Sequence, residues 1–421
     1  MNTLIRVRRK SFRFLAMISI FAIAMFFSAT RAVGQRESFL HSFGGNSKDG
    51  AELRAGFVMD ASGNLFSTTT EGGAAGTGTV FELSPRTDGG WTERVLYSFL
   101  NNGKDGAFPT GTLVMDSSGN LFGTTYAGGF RGYGTVFEIS PKPGGGWKEN
   151  ILHSFKTDGN DGLVPFAGLA MDSAGNLYGT TVGGGPSNMG TVFELSPSST
   201  GTWTEKILFG FNGSNGYQPW VTPVFDSLGN LYGTTEQGGE FGYGTVFELS
   251  LASGIWSETV LHNFNNDGTD PISPQTGLMI DSQGNLYGTA PDGAAFGGGA
   301  VFELKHGNGG WTYSVIYAFN FNNNHDGINP QSTLIVDPAG NLYGTTNLGG
   351  TGTCTASGCG TVFMLTLSAG AWTETILHNF TGTPDGQLPV TPLIRDASGN
   401  LYGTAIAGGV FGHGLAFEIK P

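Results

Sequence analysis

The chain has 421 residues, among them 72 glycines and 32 phenylalanines, and 13% of its residues are charged. The glycines lack the three-residue period of collagen, and the many Phe, Leu and Val residues supply enough apolar surface to argue against an intrinsically disordered chain. The formal net charge of −13 argues against a nucleic-acid-binding protein, because phosphate groups need cations opposite them.

The first 32 residues predict a secretory signal peptide. Five basic residues between Arg6 and Arg13 precede an apolar run at residues 14–29, and Thr30 and Ala32 suit a signal peptidase. An uncleaved anchor is the alternative, although about 16 apolar residues are short for a membrane span, which needs about 20. Cleavage after residue 32 removes six of the 20 basic residues and none of the 33 acidic ones, giving a net charge of −19. We therefore expect a secreted or periplasmic protein with no membrane span after cleavage.

The motif Asp-x-x-Gly-Asn-Leu-(Tyr/Phe) occurs seven times at nearly constant spacing. Its copies begin at Asp60, Asp116, Asp172, Asp226, Asp281, Asp337 and Asp396. The intervals of 54 to 59 residues indicate a chain built from seven stacked structural units.

Each unit has the pattern of four short strands, as the second unit illustrates. Residues 112–115, 121–125, 135–139 and 147–155 are rich in β-branched and aromatic side chains and are bounded by Gly, Pro, Asn and Asp. The pair Gly119-Asn120 predicts a tight turn between the first two strands. Seven units of four antiparallel strands, without sustained helical periodicity, predict an all-β fold, a seven-bladed β-propeller.

The repeat is out of phase with the two ends of the predicted domain. Residues 39–43, Phe-Leu-His-Ser-Phe, match the end of the fourth strand of the other units, whereas the last unit ends on its third strand at Phe417-Glu418-Ile419. We therefore predict one propeller domain over residues 37–421. In it, residues 37–43 pair with residues 391–419 as the outer strand of the last blade, which closes the ring and covers an open strand edge.

The two cysteines, Cys354 and Cys359, are separated by four residues. In an oxidising compartment such a pair forms a local disulfide. A metal site would need more ligands, and no histidine lies nearby in the sequence. We predict the disulfide, and neither a metal site nor a cofactor.

The units resemble the bacterial tandem repeat called GloVer, which is found in exported proteins with various C-terminal anchors. The resemblance covers about residues 38–421 and lies in Asp-x-x-Gly-Asn-Leu-Tyr-Gly-Thr-Thr, Gly-Thr-Val-Phe-Glu-Leu-Ser-Pro and Trp-Thr-Glu-x-x-Leu-His-Ser-Phe. It implies export and a propeller-like array, and it implies no settled activity. The chain stops at Pro421 directly after a strand, so we expect no C-terminal anchor.

A residue type present in every unit indicates a scaffold role, and a residue that breaks the pattern is a better functional candidate. By this rule the glutamates equivalent to Glu82 and the fourth-strand histidines equivalent to His153 are assigned to packing. The aspartates of the Asp-Gly turns, such as Asp161, are assigned to turn capping. A ring of these aspartates that holds Ca²⁺ or a cationic ligand is the alternative.

Four aromatic residues near the fourth copy of the motif are the predicted ligand-binding site. Tyr217 and Trp220 interrupt the usual Asp-Gly-x-x-Pro-x pattern, and Phe241 and Tyr243 lie in the neighbouring Gly-rich loop. Exposed aromatic rings stack on sugar rings, and glycine permits close backbone approach. Packing of such loop aromatics against neighbouring blades is the alternative.

No catalytic residue is assigned, because the chain lacks a Gly-x-Ser-x-Gly elbow, a His-Glu-x-x-His helix and a Walker loop. We expect a monomeric, non-catalytic extracellular binding module for a polysaccharide or a protein partner. One alternative is a secreted glycoside hydrolase or lyase with two carboxylates about 5–10 Å apart in the axial pocket. The other is a purely structural envelope repeat protein.

Overall fold

A computed structural model describes residues 36–323 and 325–420, and the predicted signal peptide lies outside this range. All regular elements of the described residues are β-strands. They form seven four-stranded antiparallel blades of a β-propeller, as the repeat predicts.

In blades 1 to 6 the four main strands follow one another in sequence from the central channel outward, whereas the outer strand of blade 7 comes from the start of the described chain. The main strands are Val58–Met59, Leu65–Thr69, Thr79–Pro85 and Trp91–Ser98 in blade 1; Val114–Met115, Leu121–Gly128, Thr135–Pro141 and Trp147–Ser154 in blade 2; Ala170–Met171, Leu177–Thr181, Thr191–Pro197 and Trp203–Gly210 in blade 3; Val224–Phe225, Leu231–Thr235, Thr245–Ala252 and Ile255–Asn263 in blade 4; Met279–Ile280, Leu286–Ala290, Gly297–Gly307 and Gly310–Asn320 in blade 5; Ile335–Val336, Leu342–Gly349, Thr361–Ser368 and Ala371–Asn379 in blade 6; and Ile394–Arg395, Leu401–Ala405, Leu415–Lys420 and Arg36–Ser42 in blade 7.

Short strands in the connections mark one face of the ring. They are Gly50–Ala51, Glu71–Gly72, Gly106–Pro109, Gly162–Leu163, Gly183–Gly184, Pro271–Ile272, Asp292–Gly293, Gly327–Pro330, Gly386–Gln387 and Ala407–Gly408. They pair the connection that enters a blade with the loop between its second and third strands, as in Gly162–Leu163 with Gly183–Gly184. We call this side the loop face.

The repeated Asp-x-x-Gly-Asn motif forms the turn between the first and second strands, on the opposite face. In blade 2, Oδ1 of Asp116 accepts hydrogen bonds from the backbone N–H groups of Ser118 and Asn120, and Oδ2 accepts one from the Asn120 amide at 2.8 Å. Gly119 has φ +81°, which glycine adopts without strain. The motif aspartates are therefore scaffold.

Paired phenylalanines hold adjacent blades together. The Phe at the end of each fourth strand or just after it packs edge-on against the third-strand Phe of the next blade, with ring centroids 4.9 to 5.4 Å apart. All of these rings are fully buried. The pairs are Phe43–Phe81, Phe99–Phe137, Phe155–Phe193, Phe211–Phe247, Phe264–Phe302, Phe319–Phe363 and Phe380–Phe417.

The Gly-Thr-Thr sequence of the second strand makes a second link between blades. Thr124 in blade 2 donates a hydrogen bond of 2.6 Å to the carbonyl of Ala167 in the innermost segment of blade 3, and Thr180 donates one of 2.7 Å to Val221. The regular first strands are only two residues long. In blade 2 the strand is Val114–Met115, shorter than the predicted 112–115.

The predicted ring closure is confirmed. Arg36–Ser42 pairs antiparallel with Leu415–Lys420 and places Phe39 opposite Phe417. The following residue, Phe43, lies in the interface between blades 7 and 1, where its N–H donates to the carbonyl of Gly414 at 3.0 Å. The N-terminal strand thus supplies both the missing outer strand of blade 7 and the phenylalanine of the closing interface.

Candidate ligand site at the mouth of the central channel

The innermost segments of all seven blades surround a cavity of about 290 Å³ in the central channel. Each blade contributes residues from one short segment, as Thr110, Gly111 and Thr112 do in blade 2. These segments begin at the connection that enters the blade, so the first lining residue of each lies at the loop face. This end of the channel is the channel mouth.

The sevenfold sequence pattern breaks down at the channel mouth. The position six residues before each motif aspartate lines the cavity in every blade, and its side chain differs in charge, size and polarity around the ring. The seven residues are Arg54, Thr110, Phe166, Trp220, Gln275, Gln331 and Val390. The preceding position is Pro in six of the seven blades, and the two following positions hold residues no larger than Val, Thr or Pro. Scaffold packing gives no reason for side chains of such different size and charge between them, so these side chains are the strongest candidates for ligand contact.

An aromatic row occupies the side of the mouth formed by blades 2 to 4. The rings of Phe166 and Trp220 lie nearly perpendicular, with centroids 4.7 Å apart and an interplanar angle of 79°. Behind them, Tyr126 stacks against Phe166 at 5.9 Å and against Phe108 at 5.4 Å. All four rings are half-buried, so each keeps some exposed apolar surface.

A polar row continues from Trp220 into blades 5 and 6. The indole Nε1 of Trp220 donates a 2.6 Å hydrogen bond to Oε2 of Glu236, and the amide of Gln275 donates a 2.7 Å bond to Oε1. Glu236 therefore fixes an aromatic and an amide side chain at once. Gln331 lies next in the ring, followed by the apolar Val390 of blade 7 and then by Arg54, whose Nη2 lies 3.5 Å from Oε2 of Glu52.

The described residues that line the channel include no pair of acidic side chains. Arg54 is the only charged residue among the described residues that line the cavity, and Glu236 lies directly behind the lining with both oxygens hydrogen-bonded. Two-carboxylate hydrolysis requires acids that converge on one bond. The lining of the cavity combines apolar and hydrogen-bonding surfaces.

The four sequence-predicted site residues all lie in blade 4 or the connection that enters it, but only Trp220 lines the channel. Tyr217 is half-buried and pairs with the backbone of Gln237. Phe241 and Tyr243 are exposed in the Gly-rich loop, by 50% and 36%. Within residues 36–323 and 325–420, neither ring packs against the indole of Trp220.

Sequence reasoning missed Phe166, Glu236 and Gln275, and it identified Tyr126 only as one of several aromatic residues in the Gly-rich loops. Aligning the seven units and comparing them position by position would have revealed these residues. The position six residues before the motif aspartate varies, and so does the position after the second-strand Thr-Thr or Thr-Ala pair, where Tyr126 and Glu236 stand. Trp220 was found because tryptophan otherwise occurs in the fourth strands.

A cluster of polar side chains recurs at the rim between adjacent blades. Each junction cluster joins a fourth-strand residue, the residue of the Asp-Gly turn and a residue from the fourth strand of the next blade. The clusters are His41–Asp49–Glu93, Tyr97–Asp105–Glu149, His153–Asp161–Glu205, Phe209–Asn215–Glu258, His262–Asp270–Tyr313, Tyr317–Asp326–Glu374 and His378–Asp385–Glu37.

The aspartates of these clusters are nearly buried, with 5–6% exposed, and cap turns. Asp161, for example, accepts a 3.1 Å hydrogen bond from the backbone N–H of Lys156. In three clusters the His, Asp and Glu atoms lie within 4.8 Å of one another, close enough to share a metal ion. Tyr or Phe replaces the histidine in other clusters, so the same packing forms without a three-ligand set. We therefore assign the clusters to the scaffold.

The glutamates of the junction clusters have strongly raised pKa values. Burial, followed by the charge of Asp385, raises the pKa of Glu37 to about 9, and burial with Asp326 raises that of Glu374 to about 8. Burial likewise raises the pKa values of Glu149, Glu205 and Glu258 to about 7. In the described residues the buried Oε1 atoms of these five and of Glu93 have no hydrogen-bond partner. A proton on each glutamate allows it to donate to the polar group beside it.

The disulfide predicted between Cys354 and Cys359 is present. It closes an insertion in the loop between the second and third strands of blade 6, and the carbonyl of Cys359 accepts a 2.9 Å hydrogen bond from Leu388 at the entry to blade 7. Disulfides persist in oxidising compartments, so the pair is consistent with an extracellular or periplasmic protein. No helix of the described residues is long and apolar enough to cross a membrane.

The family model of the Gloeobacter/Verrucomicrobia repeat matches residues 23–222 and 199–417. The chain belongs to the Gloeobacter/Verrucomicrobia repeat family. The matches together span most of the seven units and confirm the resemblance seen in the motifs. No curated protein sequence matches the chain.

Several solved structures resemble this Gloeobacter/Verrucomicrobia repeat protein in fold. A candidate 6-phosphogluconolactonase of Bacteroides uniformis is 14% identical, with a TM-score of 0.51 over 81% of this chain and 88% of that one. A PL25 ulvan lyase bound to a saccharide is 11% identical, with a TM-score of 0.53 over 91% and 95%. A Lactobacillus plantarum protein is 12% identical, with a TM-score of 0.50 over 85% and 98%. At these identities the likeness concerns the fold alone.

Proposed function

We propose that the protein is an exported, non-catalytic binding protein whose ligand enters the channel mouth. The observation that carries this proposal is the loss of sevenfold repetition at the lining position six residues before each motif aspartate. The blade interfaces and turns keep their residues from unit to unit, so the variety at the mouth reflects a task other than folding. Half-buried aromatic and amide groups around a cavity are the usual lining of a ligand site.

The other function classes have less support. Hydrolysis by paired carboxylates requires two acidic side chains, whereas the only charged side chain in the described channel lining is Arg54. A purely structural repeat protein gives no reason for Trp220, Glu236 and Gln275 to form a connected, blade-specific network. The acidic net charge of the chain disfavours nucleic acid as the partner.

The aromatic residues outside the channel belong to the proposal as an outer contact region. Tyr217, Phe241 and Tyr243 lie on the loop face in the same blade as Trp220. A polysaccharide longer than the cavity, or a protein segment, would reach them beyond the mouth. We propose that a single propeller binds such a ligand as a monomer.

Replacement of Trp220 by alanine will weaken ligand binding at least about tenfold, because a central buried aromatic residue contributes on the order of 2 kcal/mol or more to binding. Phe241→Ala, at the exposed loop tip, will weaken binding less, about threefold. Calorimetric titration with oligosaccharides selected on a glycan array measures both effects. Product analysis of the same mixtures is expected to show no cleavage.

Leu228→Ala is the matched control, because Leu228 is 85% exposed and lies in a motif turn on the opposite face. It is expected to bind like the parent protein. The proposed function would be contradicted if Trp220→Ala had a native melting curve and bound the ligand as tightly as the parent protein. It would also be contradicted if the protein released shortened saccharides steadily.

A further inference from the structure

The chemistry of the channel mouth restricts the class of ligand that it can take, and the restriction deepens the proposed function, on which it rests. The cavity of about 290 Å³ lies at the lower end of the usual size of about 300–1,000 Å³ for small-molecule pockets. It therefore suits one small ring of a ligand, with the rest of the ligand outside the mouth.

The walls of the mouth divide into an apolar half and a hydrogen-bonding half. Trp220 and Phe166 present two apolar surfaces nearly at right angles. The adjoining Gln275 uses its amide nitrogen on Glu236, which leaves its carbonyl oxygen as an acceptor, and the side chain of Gln331 makes no hydrogen bond within the described residues. A ring bound here needs one apolar face and a polar edge that both donates and accepts hydrogen bonds.

A sugar ring has this division of surface, because its C–H bonds line one face while its hydroxyl groups project from the edge. Hydroxyls donate and accept equally well, as the free amide of Gln331 and the carbonyl of Gln275 require. An aromatic ring without polar substituents would match the apolar half only, and its edge would leave the two amides without partners.

The charges around the mouth oppose an anionic sugar. Arg54, the one cation of the lining, is paired with Glu52 at 3.5 Å and is exposed to solvent. Glu236 places a carboxylate directly behind Trp220 and Gln275, on the side where the ring would bind. A carboxylate or sulfate on the ligand would lose water without gaining an unpaired cation, and it would face a like charge.

We infer that the channel mouth binds one uncharged sugar ring of a glycan, with its C–H face on Trp220 and its hydroxyl groups on Gln275 and Gln331. Glu236 acts as a positioning residue: it orients the indole and one amide and excludes acidic sugars by its charge. The ligand is thus a neutral oligosaccharide or polysaccharide rather than a uronate or a sulfated glycan.

The test uses pairs of oligosaccharides that differ only in the terminal ring, a hexose in one and the corresponding hexuronate in the other, with gluco, galacto and manno stereochemistry. We expect at least one hexose form to bind the folded protein at least about tenfold more tightly than its hexuronate partner, since like charges at an interface are strongly unfavourable. Glu236→Gln keeps the shape of the side chain and removes its charge. In this variant the ratio of hexose affinity to hexuronate affinity is expected to fall about tenfold. Loss of packing alone would weaken both forms and leave the ratio unchanged.

Gln331→Leu is a second variant that leaves the Trp220–Glu236–Gln275 network intact, and it is expected to weaken hexose binding about tenfold without lowering the melting temperature. Tighter binding of the hexuronate forms that still depends on Trp220 would overturn the inference and leave the proposed function standing. Saccharide binding that is indifferent to Trp220, Glu236 and Gln331 would overturn both.

Discussion

Deletion of residues 36–43 will abolish the cooperative thermal unfolding transition of the protein. The segment is the outer strand of blade 7, and it also carries Phe43, which is fully buried and packs edge-on against Phe81 of blade 1 at 4.9 Å. Without this segment, the third-strand edge of blade 7 is exposed. The interface between blades 7 and 1 also loses one of its two paired phenylalanines. Circular dichroism during heating measures the transition.

Single substitutions separate the strand from its buried residue. Phe43→Ala will destabilise the protein by about 3–5 kcal/mol, as removal of a buried phenylalanine usually does. Phe39→Ala, in the same strand but 48% exposed, will change the stability by no more than about 1 kcal/mol. A deletion variant that melts at the temperature of the parent protein would contradict the closed-ring account.

Raising the pH from 5 to 9 will destabilise the propeller, and the junction glutamates are the cause. Their pKa values in the folded protein, about 7 for Glu149 and about 8 for Glu374, lie above the ordinary value of 4.5. Between pH 4.5 and these raised pKa values, the folded protein therefore binds more protons than the unfolded chain. The stability that these groups contribute is therefore fully present below pH 4.5 and is lost as the pH rises through about 7 to 9.

We expect the melting temperature to fall by about 5 °C or more over this range, because several groups titrate together and one pKa unit corresponds to about 1.4 kcal/mol. The double variant Glu149→Gln and Glu374→Gln tests the cause, because tyrosines rather than histidines adjoin these glutamates. It will show a shallower pH dependence, whereas Glu71→Gln on the exposed surface will match the parent protein. A melting temperature that rises between pH 5 and pH 9 would be incompatible with protonated junction glutamates.

The repeat made the fold predictable, because a spacing of 54 to 59 residues and a split last unit leave few arrangements open. The pairing of Phe39 with Phe417 follows from the phase of the repeat, and the Cys354–Cys359 bond follows from proximity in sequence. These features depend on the order of residues along the chain, which the sequence displays directly.

The candidate site and the junction glutamates depend on contacts between units, which sequence order does not display. Glu205 and Asp161 are 44 residues apart, and their proximity exists only once blades 2 and 3 pack side by side. In the same way, Phe166 and Trp220 meet because successive innermost segments converge on the axis. Trp220 stood out as an unusual residue type, but Gln275 is conspicuous only when its position in the ring is known.

A crystal structure of the protein soaked with its tightest-binding oligosaccharide is the most direct measurement of where the ligand lies. The account predicts one sugar ring inside the channel mouth, within contact distance of Trp220 and hydrogen-bonded to Gln275 or Gln331. A saccharide found only on the outer strands or on the face opposite the loop face, with the channel mouth empty, would contradict it.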